Sequence, residues 1–150
     1  SYLGRAGVLT PAGAEDGRLI VVLVQNHGFA SIGNLSESVG AQRFGTRHRV
    51  RTGTGRLDGD EIPVDLAANA ASLGAEVLRA ATADQLRDNL REARKNTRTT
   101  VIHIETDPLS AGPDSAAWWD VPVAEVAALD STRRARARYE ADRRAQRHHL

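Results

Sequence analysis

The sequence predicts an α/β fold, a three-layer domain with a mainly parallel sheet and a C-terminal helix. Three observations predict it. Six aliphatic residues, Leu19 to Val24, run without alternation, the pattern of a strand buried on both faces as in parallel sheets. Two further strand-like segments each follow a helix-like one, and that alternation marks parallel α/β architecture. A chain of 150 residues with 41% hydrophobic content is long enough to bury a real core.

In chain order, residues 1–18 read least clearly. Gly4, Gly7, Pro11, Gly13 and Gly17 stand where a helix is expected. An interior glycine costs about 1 kcal/mol of helix stability and a proline about 3, so this segment is a short broken helix or a loop. Ile20 to Val24 is the first strand. Phe29 to Gly55 has no clear periodicity and reads as a long functional or mobile loop, followed by a polar turn from Asp58 to Pro63. Val64 to Leu73 reads as a helix, with Leu66, Ala67, Ala70 and Leu73 on one face and Gly74 as the stop. Ala75 to Ala80 is a short strand. Thr82 and Gln85 form a capping-box pair for the next helix, whose buried stripe is Leu86, Leu90 and Ala93. Asp84–Arg87, Asp88–Arg91 and Glu92–Lys95 support its outer face. Thr99 to Glu105 is the third strand, ended by Thr106, Asp107 and Pro108. The domain is therefore placed at residues 1–108. Residues 109–150 supply a linker, Trp118 and Trp119 as packing anchors, and a basic helix packed on the same domain.

Aromatic content is only 4%, so Val, Leu, Ile and Ala must fill the interior. The absence of cysteine excludes disulfides and thiolate metal sites and fits a reducing compartment. No apolar run approaches the ~20 residues of a membrane-spanning helix, and no signal peptide is visible. The reading is a soluble, cytoplasmic protein with no membrane partner. Net charge is +1, yet from Ser131 to Leu150 seven arginines face only Glu140 and Asp142, a local balance of +5. Such a helix could meet nucleic acid, but Tyr139 is the one aromatic interleaved to stack bases. A solvated helical face is the preferred reading, with no nucleic-acid partner.

Ligands in parallel sheets sit beyond the carboxyl ends of the strands, and Gln25-Asn26-His27-Gly28-Phe29 occupies that position after the first strand. It offers an amide oxygen, an imidazole, and a glycine that lets backbone approach a ligand closely. His27, Ser31, Ser36, Glu37, Ser38, Gln42 and Arg43 are the polar candidates to line a site; the alternative is an ordinary surface loop. No nucleophile elbow accompanies the Ser, His and Asp residues. Asp58, Asp60 and Glu61 lack EF-hand spacing.

QNHGFASIGNLSESVGAQRFGT, LDGDEIPVDLAANAASLGA, RTTVIHIETDP and WWDVPVAEV resemble, in that order, the C-terminal diphosphate-binding domain of thiamine diphosphate enzymes. The resemblance is strongest to the trihydroxycyclohexanedione hydrolases, which open a ring in myo-inositol catabolism, and it runs from Arg18 to the C-terminus. It implies the thiamine diphosphate-binding fold. It also implies a parent enzyme that uses thiamine diphosphate and Mg²⁺ to cleave a C–C bond of a cyclic dione, releasing 5-deoxy-glucuronic acid. In that family a Gly-Asp-Gly motif and a later Asn hold the metal. Asn26 matches that Asn, and Gly28 matches the position that gives its carbonyl. The implied metal ligands are thus Asn26 and Gly28, the implied cofactor-binding residues Ser1, Asn26, His27, Gly28 and Phe29, and no catalytic residue is assigned to this chain. The family register places Gly-Asp-Gly immediately before Ser1, so the expectation is a domain truncated at its N-terminus, binding cofactor weakly and inactive alone. The glutamate that activates the cofactor comes in such enzymes from a separate pyrimidine-binding domain, and a homo-oligomer formed through that domain is expected. The rival readings are a non-catalytic truncated domain and another thiamine diphosphate enzyme of the acetolactate synthase type, against which LSESVGAQRFGT and WWDVPVAEV argue.

Overall fold

A computed structural model of the chain describes residues 17–110 and 121–146. They fall into two compact units, the first made of residues 17–26 and Pro63–Asp107, the second of His27–Ile62 with residues 108–110 and 121–146. The broken helix expected before residue 17, and Trp118 and Trp119, lie outside the described residues. In chain order the elements are β1 (Ile20–Gln25), α1 (Ala30–Ser38), α2 (Leu66–Ser72), β2 (Glu76–Ala80), α3 (Ala83–Ala93), β3 (Thr100–Glu105) and α4 (Asp130–Ala145).

The first unit is a parallel sheet in the order β1-β3-β2, with Ile20 and Glu76 both in register with Thr100. Successive strand residues point to opposite faces, and β3 uses both. Val101 clusters with Leu23, Ala75 and Ala70 of α2, whereas Ile102 clusters with Ala80 and Ala93 of α3. The two helices therefore cover opposite faces, which gives the three expected layers. Val101 and Ile102 are both 0% exposed, and burying each such side chain contributes about 1.5–3 kcal/mol.

The helix ends follow their sequence signals. Asp65 accepts a bond from the Ala68 N–H at 2.9 Å to cap α2, and Gly74, at φ +89°, ends it. Thr82 Oγ1 accepts from the Gln85 N–H at 3.2 Å, and Gln85 Oε1 accepts in return from the Ala81 N–H at 2.7 Å, one residue earlier than the usual capping box. The pairs Asp84–Arg87, Asp88–Arg91 and Glu92–Lys95 all form on the exposed face of α3.

β1 departs from expectation. Its apolar run predicts burial on both faces, but only Leu23 and Gln25 are buried, while Val22 is 42% and Val24 53% exposed. Among the described residues β1 is an edge strand paired only with β3, and α3, which packs over β2 and β3 on the face that Val22 shares with Ile102, leaves Val22 and Val24 exposed.

The second unit corrects the expected long loop, because α1 lies within it. Its periodicity is hidden because its buried position is Gly33, whereas Ile32 and Leu35 are exposed. A Cβ at Gly33 would stand 2.8 Å from Thr46 Oγ1. After α1, Gly40 turns at φ +79° and its carbonyl accepts from Ser131 Oγ at 2.7 Å and Thr132 Oγ1 at 2.8 Å. That ties the start of α4 to this turn. On α4 the Arg136 and Arg143 guanidinium groups lie 5.5 and 5.7 Å from the centre of the buried Tyr139 ring, and Arg136 pairs with Glu140 at 2.8 Å. Residues 48–62 form a ribbon, with Ile62 N–H donating to His48 O, Val50 N–H to Asp60 O and Thr52 N–H to Arg56 O. Among the described residues no helix is long and apolar enough to cross a membrane.

Candidate functional site

At the carboxyl edge of the first unit, β1 delivers Gln25 against β3. Gln25 Oε1 lies 2.6 Å from His103 Nε2, and its Nε2 donates to the Val64 carbonyl at 3.0 Å. Because the amide nitrogen must donate to a carbonyl, its oxygen accepts, so His103 carries its proton on Nε2 toward Gln25. Both side chains are buried, at 5% and 4% exposure. His103 also lines an open pocket of about 410 Å³ at the ends of β2 and β3, together with Arg79, Gln85 and Glu105. Arg79 pairs with Asp65 at 3.3 Å. The Asp65 carboxyl is held below its usual range, first by the Ala68 N–H and then by the Arg79 charge.

The chain leaves the first unit at Asn26, which is partly buried, and enters the second at His27. His27 adopts φ +53°, a left-handed conformation uncommon for residues other than glycine. Such strain, about 1–3 kcal/mol, persists only where the surroundings impose it. Here they do. His27 Nδ1 sits 2.5 Å from Glu61 Oε1, the His27 carbonyl accepts from the His48 N–H at 2.9 Å, and the Phe29 N–H donates to Thr46 O at 2.7 Å. These bonds flank Gly28, which pairs with Arg47 in an antiparallel bridge.

Two consequences follow for Gly28. A Cβ there would meet Thr46 O at 2.2 Å, so glycine is required by the chain's own backbone. In this kind of antiparallel pair the central residue turns its N–H and C=O away from the partner. No backbone hydrogen bond among the described residues reaches the Gly28 carbonyl. Phe29 packs edge-on against His48 with ring centres 5.6 Å apart and stands at the start of α1, which has no side-chain cap and no acid in its first turn.

The other polar candidates are largely engaged in local structure. Ser36 Oγ donates to the Gln42 carbonyl at 2.9 Å and Ser38 Oγ to Leu35 O at 2.8 Å. Glu37 accepts from Arg43 Nε at 2.9 Å and from its terminal nitrogen at 2.6 Å, and Arg43 also reaches Asn34. Ser31 is exposed on the first turn of α1, and Gln42 lies beside Arg43 at a pocket edge. Ser1 lies outside the described residues. Sequence reasoning missed His103 and Glu61. A lone histidine in the apolar run VIHIE is the signal that points to the first; nothing local pairs Glu61 with His27, 34 positions away.

Asn26 and Gly28 offer an amide and a carbonyl oxygen, the hard neutral donors that Mg²⁺ accepts beside phosphate and carboxylate. Among the described residues no group of three or more His, Asp or Glu side chains is placed to hold a metal. The donor chemistry therefore fits a cation whose remaining ligands come from elsewhere, phosphate oxygens included.

The chain is similar to known proteins over most of its length. The family model described as the thiamine pyrophosphate enzyme C-terminal TPP binding domain matches residues 6–104. A 3D-(3,5/4)-trihydroxycyclohexane-1,2-dione hydrolase 2 from Bacillus cereus is 36% identical over 122 residues, covering 81% of this chain and 19% of that protein. A 3D-(3,5/4)-trihydroxycyclohexane-1,2-dione hydrolase from Bacillus thuringiensis (strain Al Hakam) is 35% identical over 127 residues, 84% of this chain and 19% of its own. The chain thus spans about one fifth of the length of the curated relatives it matches. No solved structure gives a significant match. The parallel sheet and the family match over most of the chain agree, and the protein belongs to the thiamine pyrophosphate enzymes, within their C-terminal TPP-binding domain family.

Proposed function

We propose that the polypeptide carrying this sequence is a thiamine diphosphate- and Mg²⁺-dependent hydrolase. It would open the ring of trihydroxycyclohexane-1,2-dione by cleaving a C–C bond to release 5-deoxy-glucuronic acid. The observation that carries the reading is the Asn26–Phe29 turn, held in a strained conformation at the carboxyl end of β1, in a chain whose relatives are named as hydrolases of that dione.

In this reading the Asn26 amide oxygen and the Gly28 carbonyl hold Mg²⁺, with Ser1, His27 and Phe29 against the cofactor. The Glu61 carboxylate on Nδ1 fixes the His27 ring, and the Gly28–Arg47 pairing keeps the Gly28 carbonyl turned outward. Thiamine diphosphate supplies, when bound, the electron sink for C–C cleavage. This chain's own residues bind and orient; the group that activates the cofactor would come from a separate domain, in a homo-oligomer.

The test is ring opening of the dione by the intact polypeptide, with and without thiamine diphosphate and Mg²⁺. We expect turnover to require both. Asn26→Ala should raise the Mg²⁺ concentration needed by at least about tenfold, since even changes around a metal's direct ligands cost that much. Ring opening that ignores thiamine diphosphate, or carboligation of pyruvate in its place, would sink the proposal.

A further inference from the structure

A second feature lies within residues 27–62, next to the Asn26–Phe29 turn, with which it shares the Gly28–Arg47 pairing. Arg43, Arg47, Arg49 and Arg56 line one pocket of about 290 Å³, with Phe44 as an apolar wall and Asp58 as the one carboxylate. Four arginines and one acid in a single lining is an unusual density, because arginines are ordinarily interspersed with acids that screen them. The ribbon of residues 48–62 creates it. Arg49 is bridged to Glu61 in antiparallel pairing, Arg47 to Gly28, and the Thr52–Arg56 turn closes the far end. Residues two apart share a face, which brings Arg47 and Arg49 to the same side.

The hydrogen bonds show which of these cations is available. Arg43 is committed to Glu37 and Asn34, and Asp58 accepts from Thr52 Oγ1 at 2.7 Å. Arg49 gives one terminal nitrogen to Gly59 O at 2.9 Å, yet its Nε–H is buried with no acceptor among the described residues. Arg47 and Arg56 make no side-chain hydrogen bond or ion pair among the described residues. The fork geometry of arginine matches the oxygens of carboxylate and phosphate.

We propose that this arginine-lined pocket is a binding site for a small oxyanion, the carboxylate or phosphate group of a soluble metabolite. Arg47 and Arg56 supply the charge, and Phe44 covers the ligand's carbon skeleton. The inference does not depend on the proposed ring-opening reaction.

Isothermal titration of the full chain with sodium glucuronate, with inorganic phosphate and with chloride at low ionic strength tests it. Glucuronate or phosphate should bind well above chloride, and whichever binds more tightly identifies the ligand as a sugar acid or a phosphate ester. Combining Arg47→Gln with Arg56→Gln should weaken binding at least tenfold, whereas Arg47→Lys with Arg56→Lys, which keeps charge but not the fork, should recover part of it. Arg134→Gln with Arg138→Gln, on α4, should change binding less than twofold. The proposal fails if neither anion exceeds chloride. It fails equally if the α4 pair weakens binding as much as the pocket pair, or if only a polynucleotide binds.

Discussion

The two units are held together by different physics. The 17–26 and Pro63–Asp107 unit rests on apolar burial from regular elements, with Val101, Ile102, Ala70 and Ala93 all at 0% exposure. Among the described residues, the second unit has few buried apolar side chains. Its buried residues include Gly33, Thr46, Thr132 and Tyr139, and it is fastened by close backbone approach at Gly28 and Gly40 and by specific polar bonds. Apolar burial is non-directional and tolerates small shifts. Backbone approach and strained turns do not, and that is what positioning a ligand's polar groups requires. The candidate functional residues His27, Gly28 and the arginine pocket accordingly lie in the second unit.

Two substitutions test whether that contrast is real. Ile102→Ala removes a fully buried side chain between β3 and α3 and should cost about 2–5 kcal/mol in chemical unfolding. Amide exchange should rise across β1, β2 and β3 and change least in residues 27–62; uniform acceleration in both units would break the comparison. Gly28→Ala should cost less, about 1–3 kcal/mol, because one added methyl must push Thr46 O from a 2.2 Å approach. Its exchange signature should be the mirror image, concentrated at residues 27–48. A stability loss below a few tenths of a kcal/mol would show that the turn yields easily and that the strain at His27 is unimportant.

The same contrast explains what is legible in the sequence. Strands β2 and β3 and helices α2 and α3 are readable because their apolar spacing matches their period and because Thr82, Gln85 and Gly74 are local signals. The face of β1 carrying Val22 and Val24 is misjudged, since an apolar run cannot report whether a strand has neighbours on one side or two. Helix α1 escapes notice because the residue it buries is Gly33, which has no side chain to mark a stripe. The Asn26–Phe29 turn is placed by its position after a strand, but the left-handed conformation of His27 depends on Glu61, His48 and Thr46. The arginine pocket is invisible for a related reason. Arg47, Arg49 and Arg56 read as solvated charge until the pairing of residues 48–62 gathers them.

The smallest predicted effect separates the units by electrostatics. Each unit contains a carboxylate held below its usual range: Asp65 first by the Ala68 N–H and then by Arg79, Glu140 first by its hydrogen bond with Arg136 and then by that residue's charge. A carboxylate with a depressed folded-state pKa stabilises above its unfolded value, and that contribution is lost as pH falls through the folded one. Both units should therefore weaken on the acid side of the ordinary carboxylate range. Asp65→Asn keeps an acceptor for Ala68 but no charge and should flatten the acid dependence of the first unit, as Glu140→Gln should that of the second. Salt should distinguish them. The bond from a backbone N–H to Asp65 is short-ranged and little affected, whereas Glu140 also owes its shift to the charges of Arg136, Arg144 and Arg143, which salt screens. Monitoring unit-specific amide exchange from about pH 5 downward at low and high ionic strength should then show the second unit's acid dependence shrinking with salt and the first unit's persisting. Equal salt sensitivity in both would mean that Arg79, rather than the helix N-terminus, dominates at Asp65.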